Sequence, residues 1–281
     1  MDRHQWIATG SAAALLFALF LFGRTKPLPK GDVGAAEGRP ASESLDIEAV
    51  MDTLRNRLTP GQSARITTLE NTITRGDLAT QRVQAYGQLA AYWRDSVGEY
   101  LPYLWYTGEK AKLEKSEKSL TFAGHSYLEE LRGTADPEVK SWMASEARKL
   151  FQEALKLDPD DDSTKVGLGS TYFFGTEQGS SPMQGIQGIR EVADRDTANT
   201  FAQFMLGYGG MLSGQFDKAE ERLLRVVRLQ PGNREAIFLL AECYERMGRK
   251  EEAVAWFEKG KAMVDNPDVI RAIDEKIKSL K

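Results

Sequence analysis

The sequence predicts an all-α fold, an α-solenoid of stacked helical hairpins behind one apolar amino-terminal helix, and three observations carry that expectation. Asn199–Met263 holds one pattern twice: Leu206, Gly214, Ala219 and Leu223 recur as Leu240, Gly248, Ala253 and Phe257, each pair 34 residues apart. Elsewhere apolar residues return at helical spacing, and alternation of period two is nowhere sustained over a strand's length. The chain ends on Asp268–Leu280, whose Val269, Ile270, Ile273, Ile277 and Leu280 share one face, the cover that the last hairpin of a stack requires.

The repeated pattern has a direct physical meaning. Gly207 and Ala219 are small enough to let two helices approach closely, Gly214 permits the reversal between them, and Pro231, lacking an N–H, ends the second helix. This period, with Leu-Gly, a turn glycine, Ala and Pro in that order, resembles the tetratricopeptide repeat, a helix-turn-helix unit. Two positions depart from that pattern: Gly210 and Leu223 stand where the repeat carries aromatics.

The elements follow in order. Trp6–Gly23 carries no charge and is long enough as a helix to cross a hydrocarbon layer of roughly 27 Å, so residues 1–23 read as a transmembrane anchor rather than a cleaved signal. Arg24, Lys26 and Lys30 outnumber Arg3 across that span, which leans the body towards the cytoplasmic side of a bacterial inner membrane. Residues 24–44, with Pro27, Pro29 and Pro40, make a flexible linker. Residues 45–116 hold amino-terminal helices and one degenerate repeat: a stripe from Leu45 to Leu58, a helix opened by Thr59-Pro60, a boundary at Arg75-Gly76-Asp77, and a pair over 78–97 and 100–113. Residues 117–267 hold the TPR-like repeats, signalled at Ala123-Gly124, Leu168-Gly169, Leu206-Gly207 and Leu240-Ala241. The turn over 174–181 has gained four residues, and 268–281 is the capping helix.

Composition excludes several functions. With 281 residues, 41% apolar and 28% charged, the chain can bury a sizeable core. A net charge of −4 argues against nucleic acid as a partner. A lone Cys243 cannot form an internal disulfide, and two histidines, His4 and His125, do not suit a zinc site. No phosphate-binding glycine loop, HExxH or Gly-x-Ser-x-Gly occurs, so no catalytic residue, metal, cofactor or small-molecule substrate is indicated. Asp158–Asp162 reads as helix capping, and Arg222, Arg225 and Arg228 as a solvated face.

The resemblance implies that the first helix of each hairpin lines a concave wall. Its inward positions here are Ser163, Val166, Ser170 and Phe173, then Phe201, Phe204, Tyr208 and Met211, then Glu235, Phe238, Glu242 and Glu245. The candidate partner-binding groove is therefore Phe173, Phe201, Phe204, Tyr208, Met211, Phe238, Glu242 and Glu245, with Phe204 and Phe238 as anchors. The aromatic residues either face a partner or lie under another part of the same chain. The expected function is a non-enzymatic, membrane-tethered scaffold for a protein or peptide segment with an apolar anchor and some basic residues. Anchor plus repeats also resembles the bacterial cytochrome c maturation subunits that hold apocytochrome tails outside the cytoplasm. A reading of another class is an enzyme whose site gathers around His125, Glu129 and Glu130.

Overall fold

The computed structural model describes residues 45–75, 78–174 and 182–281; the expected anchor over 6–23, the linker over 24–44 and Gly76-Asp77 lie outside them. Among the described residues every regular element is helical, and no helix is long and apolar enough to cross a membrane. Two helices lead: α1 (Ile47–Arg55) and α2 (Pro60–Arg75). Five hairpins follow, pairing α3 (Ala79–Tyr92) with α4 (Tyr100–Glu114), α5 (Glu117–Gly133) with α6 (Pro137–Leu157), α7 (Asp162–Thr171) with α8 (Pro182–Arg195), α9 (Thr200–Leu212) with α10 (Phe216–Leu229), and α11 (Arg234–Arg246) with α12 (Lys250–Lys261). Helix α13 (Pro267–Leu280) packs on α12, burying Ile273, Ile277 and Leu280 while leaving Val269 exposed, so it closes the stack as its stripe predicts.

Local chemistry sets the boundaries. Thr59 and Gln62 cap each other reciprocally at the start of α2, where the Gln62 side chain accepts from the Thr59 N–H at 3.0 Å. The first helices of the later hairpins are opened by short polar side chains: Ser116, Asp161, Asn199 and Asn233 each accept a backbone N–H three residues on. Asp161 is thus a cap, as the aspartate run implies. The turns into α10 and α12 instead rest on Gly214 and Gly248, at φ 71° and 76°, a region closed to most side chains. Helix α3 differs from expectation at its end, where it winds on as a π turn over Trp93–Val97 and stops at Gly98, φ 84°. Trp93 in that turn is fully buried.

Missing β-carbons set the spacing between helices. The Phe151 ring of α6 lies in notches at both Gly124 and Gly167, where an added Cβ would stand 2.6 and 2.5 Å from it. Gly207 receives Leu223 and Gly260 receives Phe238 in the same manner. At the α7–α8 crossing two glycines meet, and a Cβ on Gly185 would collide with the Gly169 carbonyl oxygen. The core forms two apolar clusters, one over α1–α7 and one from Val166 to Leu280, with the partly buried Phe173 and Tyr208 packed against both.

Gly185 and Gly188 sit on one helix yet answer oppositely to a methyl group. Gly185→Ala is expected to cost about 1–3 kcal/mol through backbone collision, whereas Gly188→Ala, which meets nothing within 4 Å, is expected to be neutral or to gain up to about 1 kcal/mol. Urea denaturation of the two variants beside the parent measures the difference.

Candidate functional site

The first helices of successive hairpins neighbour one another, α5 on α7, α7 on α9 and α9 on α11, and together make one wall. That wall curves inward, because side chains of α5 reach past α7. His125 sets its ring 5.3 Å from Phe201 of α9, edge to face, and Arg132 pairs with Glu235 of α11 at 3.1 Å. The predicted inward residues are consequently divided rather than joined in one open trough. Phe201 is half-buried against His125, and Phe204 is only 6% exposed beneath the Arg132 guanidinium, 5.7 Å away. Tyr208 stacks on Phe204 at 6.5 Å, and Phe173 covers Gly209. Met211 is half-buried in the second core cluster.

Phe238 corrects the sequence expectation. Its ring leans into its own hairpin, over Gly260 and 6.5 Å from Phe257, because Gly260 leaves a space that a ring fills. It does not share a surface with Phe201. Phe204 likewise lies under the chain's own Arg132, so neither residue named as an anchor stands free on the wall. Glu242 is exposed, and Glu245 accepts from Lys276 of α13 at 2.7 Å.

Two concavities remain on this side. Between α5 and α9 lies a pocket of about 170 Å³ lined by Leu128, Phe174, Phe201 and Met205, with His125, Glu129 and Arg132 at its polar side. Further along, α11, α12 and α13 bound a wider groove of about 780 Å³ with Phe257, Val269 and Ile273 on its apolar side and Glu242, Glu245 and Lys276 on its polar side. Sequence reasoning missed Phe174, Leu128, Arg132 and Met205. Phe174 carried a signal as the second of two adjacent phenylalanines, but α5's reach across two hairpins depends on superhelical curvature, which repeat spacing does not encode.

The titratable groups of the wall are tuned by burial. Burial holds His125 below the ordinary imidazole range, against the opposing pull of Asp161, so the ring is neutral, edge-packed on Phe151 and hydrogen-bonded through Nε2 to the Ser163 hydroxyl at 2.9 Å. Among the described residues no carboxylate hydrogen-bonds to His125, and Glu129 and Glu130 point to solvent. His125 Nε2 thus meets a hydroxyl, and no carboxylate among the described residues orients the ring. Glu242 is open to water at its surface yet partly desolvated at the edge of the wider groove, and this, with the neighbouring charge of Glu245, raises its carboxyl. Cys243 is a core residue whose thiol burial pushes up to about 11. Arg222 donates to the Gln203 carbonyl and Arg225 to Glu221, which occupies two of the three arginines on α10.

Stacked hairpins with a shared inner wall define a helical-repeat protein. The family model for the tetratricopeptide repeat matches residues 211–273, so that stretch of the chain carries tetratricopeptide repeats. Among the curated proteins there is no match. Among solved structures, TTC0263, a thermophilic TPR protein in Thermus thermophilus, is 18% identical over 70% of this chain and 98% of its own, with a TM-score of 0.53. That likeness shows the fold. MamA from Desulfovibrio magneticus RS-1 is 19% identical over 64% of this chain and 94% of its own, with a TM-score of 0.42. YrrB, described as a TPR protein with an unusual peptide-binding site, is 17% identical over 74% and 97%, with a TM-score of 0.42.

Because the folded state holds His125 with a depressed affinity for protons, the unfolded chain binds more protons once the pH falls below the ordinary imidazole value of about 6.5. The stability that neutral His125 contributes is therefore present above that value and lost progressively as pH falls below it. His125→Gln is expected to flatten this part of the profile, read as the difference in denaturant midpoint between parent and variant over that range.

Proposed function

We propose that the chain is a non-catalytic scaffold that holds a segment of another protein on its curved inner wall, with one apolar side chain of that segment seated between α5 and α9. The pocket of about 170 Å³ carries this reading. An apolar cavity of about 150 Å³ accommodates a benzene ring, so this space suits one aromatic or branched aliphatic side chain. Phe201, Phe174 and Met205 supply the apolar contact, in place of the Phe204 and Phe238 favoured by repeat position. From there the segment runs across Phe173, Tyr208 and Met211 towards the wider groove, where Glu242 and Glu245 stand among Lys276 and Arg246 and offer places for polar or charged residues.

Tethering belongs to the same proposal. The uncharged run Trp6–Gly23 supports a single-pass anchor in a bacterial inner membrane, and the excess of Arg24, Lys26 and Lys30 on its far side supports a cytoplasmic body. Alkaline phosphatase fused after Lys281 is then expected to be inactive; activity would reverse the orientation.

The docking reading is tested by immobilising the full chain in detergent micelles and selecting from a random dodecapeptide phage library. Enriched peptides sharing one apolar residue are expected. Phe201→Ala should weaken the best of them about tenfold or more, as for a central interface anchor, without loss of helical content by circular dichroism. A library that yields no enriched peptide, or binding indifferent to Phe201→Ala, would overturn the reading.

A further inference from the structure

The contact that divides the inner wall has a chemistry of its own. Arg132, near the end of α5, reaches α11, where its Nη1 donates to Glu235 Oε2 at 3.3 Å and lies 3.1 Å from Oε1 as an ion pair. Its guanidinium carbon stands 5.7 Å from the centre of the Phe204 ring on α9. Phe204 is stacked in turn on Tyr208, with 23° between the ring planes. The Phe204 ring, backed by Tyr208, offers the guanidinium its negative face, and the Glu235 carboxylate supplies the counter-charge.

None of the three groups belongs to Arg132's own hairpin, and Glu235 follows it by 103 residues. The arginine therefore reaches this cradle through tertiary placement and not through local geometry. Its hold is light: the Glu235 side chain is 59% exposed, and an ion pair so open to water and salt contributes little. A guanidinium arriving on another chain would meet the same rings and carboxylate on equal terms. Lysine would do less well, since its compact, strongly hydrated ammonium has no planar face to lay on a ring.

We propose that Phe204, Tyr208 and Glu235 form a guanidinium site, filled by Arg132 in the free protein and taken over by an arginine of the segment that docks on the wall. This rests on the reading of the inner wall as a docking surface and adds the chemistry of one partner residue to it. The same exchange frees Arg132, which also lines the pocket between α5 and α9, so the arginine and the apolar anchor enter together.

The test needs no partner protein. The full chain carrying Arg132→Ala, labelled with nitrogen-15 in micelles, is titrated with N-acetyl-arginine amide and, separately, N-acetyl-lysine amide at constant ionic strength. The arginine probe is expected to give saturable shifts at the Phe204, Tyr208 and Glu235 amides. Its affinity should fall roughly threefold or more in the wild type, where Arg132 competes, and the shifts should vanish in the Arg132→Ala, Glu235→Gln double variant. Should Arg132→Ala fail to fold, Arg132→Gln carries the same titration, read in the same way. No shifts at these amides, or equal shifts from the two probes, would overturn the site. That failure would leave the peptide selection standing, and failure of the selection would not alter the outcome of this titration.

Discussion

Close helix approach through absent side chains is the constraint on which this structure depends. Gly124, Gly167, Gly169, Gly185, Gly207 and Gly260 are the positions at which a β-carbon would run into a ring, a branched side chain or a carbonyl oxygen. Each lets a neighbouring helix come nearer than an ordinary residue allows, and the neighbour's large side chain then fills the notch. Packing at interior density follows from this pairing of a small residue with a large one. The hairpin crossings repeat because the pairing repeats.

The curvature of the inner wall follows from those crossings. With hairpins stacked closely, α5 is brought within side-chain reach of α9 and α11, and the wall folds over part of its own aromatic surface. What remains accessible is a pocket for one side chain and, beyond Arg132, a wider groove of mixed polarity. A segment docked as proposed would meet separate places for separate residues, not one continuous oily track, and selectivity would come from the spacing of those places along the wall.

Most of the fold was legible in the sequence because its determinants are local. Gly214 and Gly248 mark reversals, Thr59-Pro60 and the aspartate run ending at Asp162 mark helix starts, and the small residues of the Leu-Gly and Leu-Ala pairs mark crossings. The stripe of Ile273, Ile277 and Leu280 was enough to place the closing helix. The π winding at Trp93–Val97 was not legible, since the apolar spacing of 78–97 is that of an ordinary helix. The site was legible only in part. Repeat position put Phe201 and Tyr208 on the inner wall, but it did not tell that the Phe238 ring turns into its own hairpin, because Gly260, a residue of the other helix, decides where that ring goes. Arg132 was invisible to any local argument, because its partners on α9 and α11 lie far along the chain.

Phe151 carries a consequence for how the array holds together. Its ring occupies one notch within its own hairpin, at Gly124, and another in the hairpin that follows, at Gly167. In the later repeats the comparable notches at Gly207 and Gly260 are filled from inside the hairpin, by Leu223 and Phe238. For a quasi-one-dimensional stack, stability divides between what a unit supplies alone and what its junctions supply. The second and third hairpins are therefore welded at their junction: losing the third bares the Phe151 ring, and losing the second leaves the Gly167 notch empty. Phe173 ties the third hairpin to the fourth at Gly209 in the same way, so the fifth hairpin, whose Gly260 notch is filled by its own Phe238, is the more nearly self-sufficient brick and the natural place for this architecture to grow or shed a repeat.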